Sequence, residues 1–87
     1  MTNNIRKGSS VLIRHHNKYG GKTGRVMGIT QVKYVPAMLH KGLSRDCHIA
    51  YINTEMGIGF WHPVADLYKL ALVKGKTTEG YWTWVVE

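Results

Sequence analysis

Five histidines and a single cysteine are the side chains best suited to metal binding or nucleophilic chemistry, and their spacing argues against both. His15 and His16 are adjacent, so on a strand they project to opposite faces and cannot easily share an ion. His40, Cys47 and His48 lack the paired C-x₂₋₄-C or H-x₃₋₅-H spacing of a zinc site. A Cys47–His48 dyad fails for the same geometric reason as the histidine pair. The acids Asp46, Glu55, Asp66, Glu79 and Glu87 are scattered, mostly in turns, which gives a paired-carboxylate mechanism little support. Gly57-Ile58-Gly59 falls far short of a phosphate loop or dinucleotide fingerprint. The expectation is a non-enzymatic protein with neither metal nor cofactor.

The remaining chemistry is electrostatic. Arg6, Lys7, Arg14, Lys18, Lys22, Arg25, Lys33, Lys41 and Arg45 fall in the first 45 positions, which contain no acid. The other 42 positions hold three basic and five acidic residues, so the two parts carry +9 and −2 within a formal net charge of +7. A positive field concentrated on one part of a small fold attracts polyanions, and phosphate backbones are the commonest of these in a cell.

Placing those charges requires a fold. Eighty-seven residues make one domain, and at this size roughly 60–65% of the unfolded surface is buried, which leaves little room for a deep cleft. A single cysteine cannot close an internal disulfide, and the N-terminus lacks the apolar segment of a signal peptide. No apolar run approaches the roughly 18 residues of a membrane span. The expectation is a soluble, cytoplasmic protein without a membrane partner.

Helical periodicity is weak throughout, whereas β-branched runs separated by glycine-containing turns are frequent. The pattern predicts strands over 11–16, 25–34 (with a bulge or bend at Gly28), 47–53, 58–62, 68–73 and 81–86. Segment 17–24 is turn chemistry whose glycines are free to take positive φ. Pro36 opens a long excursion to Asp46 with one helical turn near Ala37–His40, and 63–67 suits a 3₁₀ turn.

Residues 7–29, K-G-S-S-V-L-I-R-H-H-N-K-Y-G-G-K-T-G-R-V-M-G-I, resemble the KOW motif. Gly8, Val11 and Ile13 match its opening, Lys18, Gly21 and Lys22 its basic turn, and Gly24, Arg25 and Val26 its exit. Gly24 fits a physical need, since tightly paired strands in a small barrel require close backbone approach where a Cβ would collide. The resemblance implies an all-β, SH3-like barrel of five strands over residues 1–73. A linker and an aromatic strand over 74–87 would then pack on or extend it. KOW domains occur in a ribosomal protein family and in transcription factors of the NusG type, where the turn between the first two strands commonly touches RNA or a protein neighbour. The longer excursion and the aromatic tail depart from the minimal motif.

On this reading Arg14, Lys18, Lys22 and Arg25 gather around one end of the first hairpin and neutralise phosphates, with Tyr19 stacking on a base or packing beside them. The partner is RNA or a ribonucleoprotein. The rival reading is a protein-interaction barrel, an assembly subunit or modulator of a larger protein, that docks on an acidic surface. Trp82 and Trp84, two apart and so on one face of a strand, would carry that contact in a monomer or weak dimer. Phe60 and Trp61 read as core or groove wall.

Overall fold

Strand β1 (Ser10–Ile13) is short and strictly alternating: Val11 and Ile13 are fully buried while Ser10 and Leu12 face outward. A computed structural model of the chain describes residues 5–74 and 82–86, with the side chains of 72–74 and 82–84 outside that description. Five further strands follow: β2 (Thr23–Gln31), β3 (His48–Thr54), β4 (Gly59–Pro63), β5 (Leu67–Lys74) and β6 (Trp82–Val86). A 3₁₀ turn (Val32–Tyr34) and helix α1 (Pro36–Leu39) lie between β2 and β3, and a second 3₁₀ turn (Val64–Asp66) joins β4 to β5.

All strand pairs are antiparallel, and the sheet order is β4-β3-β2-β1-β5-β6. The protein is a small all-β, barrel-like fold with the expected five strands and a sixth at the C-terminal edge. Two hydrogen bonds tie β4 and the turn after it to the end of β1. The Arg14 N–H donates to the Asp66 carbonyl at 2.9 Å, and His62 Nε2 donates to the Arg14 carbonyl at 2.6 Å.

Strand β2 serves both halves of the sheet because it is bulged. Val26 pairs with Ile52 and Gly28 with Tyr51, leaving Met27 as the extra, exposed residue. Val26 and Ile29 are three apart and would face opposite ways on a regular strand; the bulge lets both reach the main core. That core is Val11, Ile13, Tyr19, Val26, Ala50, Ile52 and Leu67, with Phe60 and Val64 packed against it.

The excursion after β2 makes a second, smaller core on the opposite face of β3. Val32 and Met38 close over Ile49, with Trp61 and Leu43 packed at the margin. Pro36 starts α1 at its first turn, where a missing N–H costs nothing. The Val32 and Lys33 N–H groups donate to the Cys47 and Arg45 carbonyls, both at 3.0 Å, and zip the base of the excursion shut.

Gly24 stands where β2 passes closest to β3. A Cβ there would lie 2.5 Å from Ile52 Cγ2 and 3.1 Å from the Asn53 carbonyl oxygen, whereas one at Gly28 would meet nothing within 4 Å. Gly24→Ala is therefore expected to cost about 1–3 kcal/mol through overpacking. Gly28→Ala should stay within about 0.5 kcal/mol of the parent, as a substitution that meets no neighbour does. Urea unfolding of the two variants, with a shared slope, measures the difference.

Candidate nucleic-acid interface

The loop between β1 and β2 is built around one imidazole. The main chain of His15 turns through a left-handed conformation (φ 54°), which histidine tolerates better than most side chains. The His15 ring donates from Nδ1 to the Asp66 carboxylate at 3.1 Å. His16 then folds its ring under the loop, where Nδ1 accepts hydrogen bonds from the Lys18 and Tyr19 N–H groups, both at 3.0 Å. The Gly20 N–H returns to the His16 carbonyl, and the Gly21 N–H to the Ile13 carbonyl, closing the hairpin. Of the turn glycines only Gly21 takes positive φ (83°); Gly20 is required for space, since a Cβ would come 2.8 Å from the His16 carbonyl oxygen.

This wiring sorts the expected site residues. Lys18 and Lys22 project outward from the loop and are exposed. Tyr19 goes the other way. Its ring is buried and stacks on Phe60 (centroids 5.3 Å apart, 15° between planes) and tilts against His16 at 5.2 Å. Of the two roles considered for Tyr19, stacking on a base or packing, the structure shows packing: its ring completes the core, with Lys18 Nζ 5.7 Å from the ring centroid.

Arg14 sits at the root of the loop with its guanidinium 4.3 Å from the Tyr68 ring centroid, a cation–π contact that fixes its direction on the outer face of β1 and β5. Arg25 is exposed but pairs with Ser10, at the opposite end of β1 from the loop. It stands three residues from Lys22, on the order of 10 Å along the strand. The expectation that all four cations gather at one end of the hairpin is corrected accordingly: they run along its length. Trp82 and Trp84 are placed by backbone register only, opposite Lys74 and Leu72. Their side chains lie outside the described residues.

The acids among the described residues are already engaged. Asp46 pairs with Lys33 at 3.6 Å, Asp66 with His15, and Glu55 accepts from the Thr23 hydroxyl at 3.2 Å. Among the described residues, Arg14, Lys18, Lys22 and Arg25 have no carboxylate partner. Lys18, Lys22 and Arg25 are exposed, while the half-buried Arg14 lies against the Tyr68 ring. No group of three or more His, Cys, Asp or Glu side chains gathers as a metal site among the described residues, and Cys47 is a half-buried free thiol.

Beside the loop lies a groove of about 560 Å³, walled by His15, His16 and Asn17 on one side and Met38, Lys41 and Leu43 on the other. Its floor is β4, where Phe60, Trp61 and His62 line it together with Tyr51 from β3. Tyr51 and Lys41 were not singled out from the sequence. The available signal for Tyr51 was its outward phase in β3, directly across from Trp61.

His16 links this groove to the loop. Burial first, and then electrostatic repulsion from the neighbouring His62 and Lys41, hold its pKa below the ordinary 6.5. Only the form with an unprotonated Nδ1 accepts the two loop N–H bonds. Because the folded value is depressed, the unfolded chain binds more protons between that value and about 6.5, so the stability contributed by His16 is complete above pH 6.5. It is lost as pH falls through the folded pKa. A His16→Asn variant, whose amide oxygen accepts such bonds without titrating, should lose less stability across this window than the parent. Protection of the Lys18 and Tyr19 amides, taken relative to their intrinsic exchange rate at each pH, should fall on acidification in the parent alone.

Comparison with known proteins returns no match: no family model, no curated protein and no solved structure matches this chain. Its function is therefore to be argued from the geometry of the hairpin and its groove.

Proposed function

We propose that the protein is a non-enzymatic nucleic-acid-binding module of the KOW type, acting on RNA or a ribonucleoprotein in the cytoplasm. The observation that carries this reading is the outward projection of Lys18 and Lys22 from a hydrogen-bonded loop, with no carboxylate among the described residues to neutralise them. Arg14 and Arg25 continue the positive stripe along the same hairpin. A loop held by His16 presents its ammonium groups with less freedom to lose on binding than an unstructured tail would. Gly24 supports the KOW resemblance physically, since the close β2–β3 approach there excludes a side chain. No helix among the described residues is long and apolar enough to cross a membrane.

Binding should be dominated by counterion release. If about five phosphates on a single strand are neutralised, log K falls with log salt at a slope near −3.5, or roughly a hundredfold between 50 and 200 mM salt. Lys18→Ala with Lys22→Ala should make that slope shallower by about 1.4, since each lost phosphate contact removes about 0.7. A salt titration of oligonucleotide affinity, by fluorescence anisotropy, checks both values, and a flat titration refutes the reading.

A second reading, docking to an acidic protein, draws on the C-terminal edge. Strand β6 pairs with β5 on one side, and Val85 and Val86 on it are exposed. An edge strand with outward valines is a surface that natural proteins usually cover. If this edge carries the contact, Trp82→Ala or Trp84→Ala should abolish partner capture while leaving the salt-dependent nucleic-acid affinity intact.

A further inference from the structure

The groove beside the β1–β2 loop carries features that phosphate binding alone does not use. Besides the imidazoles of the loop and β4, four Tyr, Phe and Trp rings meet there or just beneath it, and among themselves they form two pairs. Tyr19 and Phe60 stack on each other in the core. Tyr51 and Trp61 stand edge to face at 5.2 Å and 68°, and Tyr51 keeps 37% of its surface exposed. Tyr51 lies across Gly59, where a Cβ would collide with the tyrosine ring, so the bare backbone of β4 lets the ring settle over the strand. This second pair is a built aromatic surface with a free side.

Its electrostatic setting selects the occupant. The groove contains one acid, Asp66, which His15 already holds, and one ammonium, Lys41, on the facing wall. Asn17, at the loop side, offers both a donor and an acceptor and immediately precedes Lys18. Lys18 itself is exposed and follows directly on Asn17 in the chain, so a phosphate contact and the groove wall are contributed by consecutive residues. The volume, about 560 Å³, falls within the roughly 300–1,000 Å³ typical of small-molecule sites. A base inside a duplex is stacked on both faces and cannot enter; an unpaired one can.

We infer that the groove between Asn17, Lys41 and the Tyr51–Trp61 pair is a nucleobase site, taking an unpaired base of a single strand whose phosphates lie on the β1–β2 loop. This rests on the nucleic-acid reading proposed above, and it narrows the ligand from nucleic acid bound through its phosphates to a strand with an unpaired base. Stacking platforms of this kind are sequence-tolerant, because every base has a π-face.

The test compares an oligouridylate with an abasic strand of equal length and charge, each titrated against the full chain at fixed salt. The abasic strand should bind roughly 5- to 150-fold more weakly for each base engaged, the fold-change equivalent of about 1–3 kcal/mol of stacking. Tyr51→Leu should weaken the intact strand and leave the abasic strand unchanged, while Tyr51→Phe should bind as the parent does. Because Tyr51 is exposed, these variants should keep the parent's urea midpoint. Equal affinity for the two strands, with the steep salt slope retained, overturns the base site and leaves the phosphate-binding reading standing. Absence of binding to either strand overturns both. Ring resonances of Tyr51 and Trp61 that move with an acidic peptide but not with the oligonucleotide assign the groove to a protein and overturn the inference.

Discussion

The pairing of His62 with the Arg14 main chain is the contact on which the remainder of this molecule depends. The strand order is open at β4 and continues past β1 into β5 and β6, so β4 and β1 are not hydrogen-bonded to each other as strands. What brings them together is the buried His62 ring, whose Nε2–H donates to the Arg14 carbonyl, and the Arg14 N–H, which donates to Asp66. A net hydrogen bond is worth about 0.5–1.5 kcal/mol, but stranding a buried partner costs about 1–3 kcal/mol. The closure is thus enforced more by the cost of breaking it than by the gain in forming it. It also fixes where the β1–β2 loop leaves the barrel, and with it the position of every cation on that loop relative to the groove.

Packing then decides which side chains are left for function. The core of a chain this short is small, so it recruits an aromatic ring from the loop itself. Tyr19 is drawn inward against Phe60, and the loop must double back to allow it. The doubling back is what turns Lys18 outward and what demands an acceptor for the Lys18 and Tyr19 N–H groups, a demand His16 meets. The inward ring and the outward ammonium are two consequences of one turn.

Much of this architecture was legible in the residues, and the parts that were not have identifiable causes. The succession of six strands, the turn at Pro63–Leu67, the helical turn after Pro36 and the bend at Gly28 all follow from β-branched runs broken by Gly and Pro. The first strand ends at Ile13 and not at His16, because His15 takes a positive φ that side-chain composition does not announce. Tyr19 was ambiguous for a tertiary reason: a tyrosine in a Gly- and Lys-rich loop has an exposed-looking neighbourhood, and only the distant Phe60 reveals its burial. The spread of Arg14, Lys18, Lys22 and Arg25 along the hairpin follows from register. Arg25 pairs with Ser10, an assignment that local pattern leaves open. The groove draws on residues 15–17, 37–43 and 59–63 together with Tyr51 and Asp66, parts that are far apart in the chain, and no single window shows their convergence.

The charge asymmetry acquires a structural meaning from the same geometry. The acid-free first half supplies β1, β2, the loop between them and most of the excursion, which are the segments that frame the groove and carry the exposed cations. Asp46, Glu55 and Asp66, from the remainder, lie at the joints between segments. Asp46 reaches Lys33 across the base of the excursion, Glu55 reaches Thr23 at the start of β2, and Asp66 reaches His15 at the root of the loop. Each acid pins a turn and cancels little of the positive charge, since two of its three partners are a hydroxyl and a histidine. An arrangement that used the acids to neutralise Lys18 or Lys22 would lower the self-repulsion of the fold, at the loss of its outward field. The placement here keeps the repulsion and the field together, as the proposed anion-binding surface requires.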